Sequence, residues 1–239
     1  MTGSTSPGTL VTGRPATTTG VAPVARPVWY FDIISPYAYL HFKLHDRITW
    51  PGGAALQIEH VPVLFAGLLK ANGTKGPAEI VEKRRHTYRM CVWFAQQHGI
   101  PFRLPPAHPF NPLHALRLLT GAGATRTNVE AVFDCIWKDG NDVNQPEVFA
   151  ALAQRIGVSD APSLIADVAV KQQLVANTER ALARGVYGVP TFDTGGELFW
   201  GADTLPMMNA WLANPQLFAA GEMARVERLP WAAMRKEVG

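Results

Sequence analysis

The sequence predicts an α/β fold: a strand–helix–strand unit at the front, a long helical stretch in the middle, and a hairpin followed by a helix at the back. Three observations predict it. Residues 28–33 form an apolar and aromatic run, the pattern of a buried strand. Residues 65–183 carry one helical pattern after another, with no convincing strand between them. Residues 189–193 and 198–200 are rich in β-formers and flank Gly195-Gly196, which reads as a hairpin.

In chain order, residues 1–26 are Thr, Ser, Gly, Pro and Ala with few groups to bury, so they are expected to be a disordered tail. After the first strand, Pro36 suits the first position of a helix, where a missing N–H has no partner to lose. That helix carries Tyr39, Leu40, Leu44 and Ile48 at helical spacing and ends before Pro51-Gly52-Gly53. Alternation over 56–63 marks a second strand. Helical patterns follow around 79–98, 112–121, 129–138, 145–156 and 163–184, and a last helix around 203–212 closes the domain. This is the order of a thioredoxin-type sheet split by a helical insertion. The expected organisation is one domain over 27–213, built from 27–64 and 185–213, with 65–184 inserted and 214–239 as a C-terminal extension.

Composition narrows the function. With 239 residues, 47% of them hydrophobic, the chain can bury one substantial core. A net charge of +3 gives no reason to expect nucleic acid, and the cluster Lys83, Arg84, Arg85 and Arg89 reads first as a solvated helix face. No apolar run is long enough for a membrane span and no secretory signal opens the chain, so a soluble cytoplasmic protein is expected. Cys91 and Cys135 fit neither a CxxC pair nor zinc spacing, so no redox dithiol and no metal site are expected.

Three motifs carry chemistry. Ser35, in Phe31-Asp32-Ile33-Ile34-Ser35-Pro36-Tyr37, falls where the first strand passes into the first helix; alone, a serine there is an ordinary cap. Val189-Pro190, flanked by β-formers and preceded by Gly188, has the setting of a cis bond, which would leave the Val189 N–H and C=O able to pair with an extended peptide. A trans Pro opening an edge strand is the plainer alternative. Third, Leu198-Phe199-Trp200-Gly201-Ala202-Asp203 ends a strand and starts a helix with Asp203 as the expected N-cap, a turn that could receive both a carboxylate and an ammonium.

Together and in this order, the three motifs resemble the 2-hydroxychromene-2-carboxylate isomerases and the kappa-class glutathione transferases, both of the DsbA-like thioredoxin superfamily. The resemblance runs from Val28 to Leu212 and includes Asn72-Gly73-Thr74-Lys75-Gly76-Pro77, Lys83-Arg84, Gly99-Ile100-Pro101-Phe102 and Asn111-Pro112 of the insert. It implies a thioredoxin-like fold with an inserted all-helical subdomain, glutathione as cofactor, and Ser35 in place of a catalytic cysteine, its hydroxyl holding the glutathione sulfur as a thiolate. It further implies that Val189, beside Pro190, pairs with the cysteinyl backbone, that Ala202 and Asp203 hold the γ-glutamyl end, and that Asn72 and Lys83 complete the site. An arginine often follows that Asp in the family; Thr204 stands here.

The reaction implied is the interconversion of 2-hydroxychromene-2-carboxylate and trans-o-hydroxybenzylidenepyruvate, by addition of the thiolate to the ring-opened keto acid, bond rotation and expulsion of the sulfur. For such a flat anion, Tyr37, Phe65 and Trp200 are assigned as walls and Arg84 or Arg85 as the carboxylate partner; ordinary core packing is the alternative for the aromatics. A homodimer is an expectation by analogy. Two other functions remain open: a transferase or peroxidase acting on another electrophile, and a non-catalytic module docking a partner peptide at Pro190.

Overall fold

The computed structural model describes residues 26–51 and 56–230. Residues 1–25 of the expected tail over 1–26, the Gly52-Gly53 turn and the end of the C-terminal extension, 231–239, lie outside the described residues. Four short strands, β1 (Val28–Phe31), β2 (Glu59–Pro62), β3 (Thr191–Asp193) and β4 (Leu198–Trp200), form one sheet in the order β2-β1-β3-β4. β2 runs parallel to β1, β3 antiparallel to it, and β4 returns beside β3 as the expected hairpin. Every residue of the central strand β1 is buried, as an apolar run covered on both faces requires.

The first helix, α1 (Pro36–Phe42), is shorter than expected. Leu44 precedes a 3-10 turn at His45–Arg47, and Ile48 leaves it in extended conformation. The physical reason lies just downstream: Ile48 and Thr49 are β-branched, and Trp50 precedes a proline, which disfavours helix. The second strand is also shorter than its alternation. Pairing begins where Glu59 N–H donates to Pro27 O at 2.9 Å, because Pro27 has no N–H with which to extend the ladder.

Helices alone fill the stretch to β3 among the described residues: α2 (Phe65–Ala71), α3 (Val81–His98), α4 (Leu113–Ala122), α5 (Arg126–Phe133), α6 (Pro146–Arg155), α7 (Ala161–Ala166) and α8 (Val168–Ala183). Beyond Phe133, α5 widens into a π-helical turn, Asp134–Lys138. The single helix expected over 163–184 is two helices. Asp167 is extended between them, and its Oδ1 accepts Ala169 N–H at 2.7 Å, restarting the ladder as an N-cap. After β4 a 3-10 turn, Ala202–Thr204, leads into α9 (Leu205–Ala213) and then α10 (Gly221–Val226).

The core joins insert to sheet. Trp29 stacks on Phe31 with ring centroids 4.6 Å apart, and Phe133 and Trp137 from the insert pack in the same cluster as Phe192 of β3. Two forked ion pairs tie α8 to the sheet: Arg184 to buried Asp193 at 2.6 and 2.9 Å, and Arg180 to Glu59 at 2.6 and 3.1 Å. The bidentate geometry makes these firmer than ordinary surface pairs.

Behind α1 three imidazoles are packed against Trp29. Its indole N–H donates to His41 Nδ1 at 3.1 Å, while His45 lies edge-on to it at 4.6 Å and His60 at 5.8 Å. Neither nitrogen of His45 has a hydrogen-bond partner among the described residues. Burial lowers His41 to about 3, His60 to about 4, and His45 well below the ordinary 6.5. All three are neutral in the folded protein at pH 7.

Since the unfolded chain takes up these protons near 6.5 and the folded one does not, the histidines' contribution to stability is full above pH 6.5 and falls with pH below it, each adding a slope of about 1.4 kcal/mol per pH unit. Denaturant midpoints measured from pH 8 to pH 4 should fall steeply below pH 6. A His45→Phe protein, which keeps the ring contacts without the titrating nitrogens, should show the shallower fall.

Candidate functional site

The strand register gathers four segments at one end of the sheet. β1 ends at Phe31 opposite Pro62, so the Ser35 turn and the start of α2 leave the sheet together. β3 begins at Thr191 opposite Tyr30, and β4 ends at Trp200 opposite Thr191. Val189-Pro190 and the Gly201–Thr204 turn therefore arrive at the same end.

Residues 32–35 are held on all sides. Asp32 is only 1% exposed, and its carboxylate accepts Ile34 N–H at 3.0 Å and Phe65 N–H, the first of α2, at 2.9 Å. Ser35 N–H donates to Asp32 O at 3.1 Å. From the insert, the Trp137 indole N–H donates to Ile33 O at 2.8 Å, and His108 Nε2 lies 2.7 Å from Ile34 O. Burial pushes Asp32 from 3.8 up to about 7, against the pull of its two N–H donors. Its linkage therefore opposes that of the histidines: its contribution is present below about 4 and lost as pH rises through 7.

Within this clamp the Ser35 hydroxyl oxygen accepts Ala38 N–H at 3.2 Å. The hydroxyl hydrogen stays free to donate outward. Pro36 brings no N–H and Ala38 is capped, so the open backbone donor of the first turn belongs to Tyr37. Burial pushes Cys91 up to about 12, against a small opposing pull from the neighbouring Tyr37 phenol. Cys135 is raised as well, again by burial first. Neither cysteine is a thiolate near neutral pH.

Across from Ser35, the Val189–Pro190 bond is cis, and Pro190 O accepts Gly201 N–H at 2.9 Å. The Val189 side chain is buried with Val28, Tyr30 and Val61, while its N–H and C=O have no hydrogen-bond partner among the described residues. Gly188 is needed for close approach: a Cβ there would lie 2.6 Å from Trp200 Nε1. The half-exposed Trp200 ring packs on Tyr187 with centroids 5.1 Å apart. Asp203 is not the cap expected from the sequence. The 3-10 turn intervenes, Gly201 stands before it and Thr204 before α9, with the Thr204 hydroxyl donating to Gly201 O at 2.8 Å. The Asp203 carboxylate is exposed and close enough to Tyr37 to help raise its phenol.

Ser35, Tyr37, Phe65, Val189, Pro190, Trp200, Ala202 and Asp203 thus share one end of the sheet. Ala202 is 1% exposed and offers backbone only. Asn72 caps the other end of α2, its amide donating to Leu68 O at 2.8 Å, and Lys83 is exposed on the first turn of α3; no hydrogen bond or ion pair joins either to the Ser35 turn. Arg85 pairs with Glu82 at 3.1 Å on the solvent face. Arg84 is tied inward: its Nε donates to Tyr88 OH at 3.1 Å, and Tyr88 OH lies 2.6 Å from His108 Nδ1. Asp32, Tyr88, His108 and Trp137 escape sequence reading. Only Asp32, inside the Ser35 motif, lies where attention falls; the indole of Trp137 reaches back over 104 residues, which no local pattern reports.

Among the described residues no group of three or more His, Cys, Asp or Glu side chains could hold a metal ion, and no helix is long and apolar enough to cross a membrane. Comparison with known proteins matches residues 28–213 to the family described as the DSBA-like thioredoxin domain. The chain is 29% identical to glutathione S-transferase kappa 2 of Caenorhabditis elegans over 209 residues, 78% of this chain and 91% of that protein. It is 26% identical to 2-hydroxychromene-2-carboxylate isomerase of Pseudomonas sp. (strain C18) over 185 residues, 75% of this chain and 86% of that one. Among solved structures it superposes on a 2-hydroxychromene-2-carboxylate isomerase with a TM-score of 0.65 at 23% identity, covering 85% of this chain and 98% of the other.

Gly201 takes φ +96° and ψ 154°, and a Cβ there would lie 2.6 Å from Asp203 Oδ1. Gly201→Ala should cost about 1–3 kcal/mol of stability, as backbone conformations open only to glycine do. Its denaturant midpoint, set against that of the wild type, is the measurement.

Proposed function

The chain belongs to the DSBA-like thioredoxin domain family, and from that premise we propose that it is a glutathione-dependent enzyme that interconverts 2-hydroxychromene-2-carboxylate and trans-o-hydroxybenzylidenepyruvate. The observation that carries the reading is the Ser35 hydroxyl, fixed by its bond from Ala38 N–H, with its own hydrogen left to donate. The chain's own thiols are both buried.

The residues present fit the tripeptide. The unpaired N–H and C=O of Val189 suit an extended peptide backbone, and the exposed Asp203 carboxylate suits an ammonium. Ala202 offers backbone to a carboxylate; Asn72 and Lys83 are assigned the outer part of the site. Thr204, occupied with Gly201 O, supplies no positive charge there, so the anionic end relies on backbone donors. When bound, glutathione supplies a thiolate that can add to a conjugated double bond and leave again, freeing the bond to rotate.

Ser35 keeps that sulfur ionised. Lowering a thiol from about 8.5 by two pH units takes about 2.7 kcal/mol. A hydrogen bond to a charged acceptor contributes about 1.5–3 kcal/mol and the first turn of a helix a further 0.3–1 kcal/mol or so. No general base is required. Tyr37, Phe65 and Trp200 form the walls against the flat substrate and exclude water from it, with Arg84 facing its carboxylate.

The 29% identity to a kappa-class transferase favours a second outcome at the same site, conjugation of glutathione to another electrophile. Incubation with the chromene carboxylate and substoichiometric glutathione separates the two: isomerisation without glutathione consumption supports the first, and stoichiometric consumption with a model electrophile supports the second. Ser35→Ala should lower kcat/KM about 10- to 100-fold, the equivalent of that one charged hydrogen bond. An unchanged kcat/KM would contradict the role of the hydroxyl.

A further inference from the structure

Asp32 O and the Asp32 carboxylate hold the Ser35 turn from within the chain's own first loop, but the Ile34 carbonyl is held from the insert, by His108 Nε2 at 2.7 Å. The imidazole is 9% exposed and contacted on both sides, with Tyr88 OH 2.6 Å from Nδ1 and 3.0 Å from His108 O. A carbonyl oxygen can only accept, so Nε2 must carry the proton. In a neutral ring Nδ1 is then the acceptor, and Tyr88 O–H the donor to it. The Tyr88 oxygen in turn accepts from Arg84 Nε at 3.1 Å, which makes its O–H the stronger donor. The Tyr88 hydroxyl has two acceptors within reach, Nδ1 at 2.6 Å and His108 O at 3.0 Å, and the shorter contact is the one to the ring.

Ile34 itself is only partly buried. Without a donor its carbonyl could turn toward water, and because the peptide plane is rigid, the Ser35 N–H, Cα and hydroxyl would turn with it. His108 also polarises that peptide and so strengthens the Ser35 N–H bond to Asp32 O, 3.1 Å long.

We propose that His108 is a positioning residue for Ser35: as the neutral Nε2–H tautomer that the Ile34 carbonyl demands, with Tyr88 OH braced against Nδ1, it fixes the Ile34–Ser35 peptide and thereby aims the Ser35 hydroxyl. The effect on glutathione rests on the functional reading above; the tautomer does not.

Two measurements test it. Nitrogen NMR of the imidazole in the ligand-free protein should find Nε2 protonated and Nδ1 bare, and Tyr88→Phe should keep that tautomer, because Ile34 O still accepts from Nε2. Ultraviolet absorbance of the thiolate, titrated with glutathione bound, should give a midpoint about one pH unit higher in His108→Phe, a tenfold change in ionisation constant, with the dissociation constant little changed. His108→Gln, whose amide can still donate to Ile34 O, should restore the wild-type midpoint. Loss of packing alone would not be rescued in this way. If His108→Phe does not fold, Tyr88→Phe carries the titration, with a smaller rise in the same direction expected.

An Nδ1–H tautomer in the wild type overturns the proposal, as does an unshifted midpoint in the folded His108→Phe protein, or in Tyr88→Phe where that variant carries the titration. If wild type does not bind glutathione, the functional reading fails instead, and the proposal stands or falls on the tautomer.

Discussion

The structure depends most on the fixing of a four-residue loop, Asp32 to Ser35, between the central strand and the first helix. A loop at a strand end normally bonds to water and moves with it. Here four backbone groups are occupied: Ile34 N–H by the Asp32 carboxylate, Ser35 N–H by Asp32 O, Ile33 O by Trp137 and Ile34 O by His108. Two of those partners come from the insert, His108 from the loop between α3 and α4 and Trp137 from a π-helical turn, a local widening often found beside functional sites. The insert is thus part of the clamp on the site as well as its cover.

That rigidity has a chemical consequence. A neutral hydroxyl stabilises a nearby anion strongly only if its direction is settled beforehand, because a freely turning donor loses most of the gain to its own ordering. The cap from Ala38 N–H settles one side of the Ser35 oxygen and leaves the hydrogen for the other. The charges around the loop are kept weak. Asp32 is pushed up toward neutrality by burial, His108 is held neutral by burial despite its bond to Ile34 O, and both cysteines are kept as thiols. A site with few charges of its own favours a ligand that brings the charge, which is the reading proposed for glutathione.

The fold was largely legible in the sequence because its elements are local: the apolar run of β1, the alternation of β2, the Gly195-Gly196 hairpin and the strandless middle all report on neighbours in the chain. Boundaries failed where a single side chain intervenes, as at Asp167, which interrupts the expected helix, and at Asp203, displaced from the cap by a 3-10 turn. The Ser35, Pro190 and Asp203 motifs were legible because each is a strand end or helix start with a chemical signature. The clamp was not. His108 lies 74 residues from Ile34 and Trp137 lies 104 from Ile33, and contacts of that range are set by how α3, α5 and the loops between them pack on the sheet. The three histidines packed on Trp29 were equally silent, since nothing in the spacing of His41, His45 and His60 distinguishes a core imidazole from a solvated one.

The central claim is that this protein ionises a sulfur that is not its own. Calorimetry of glutathione binding at neutral pH, repeated in two buffers of different ionisation enthalpy, measures it most directly, because a thiol that ionises on binding hands its proton to the buffer. The account predicts release approaching one proton per site in the wild type and near none in Ser35→Ala. Binding with no buffer dependence in the wild type would contradict it.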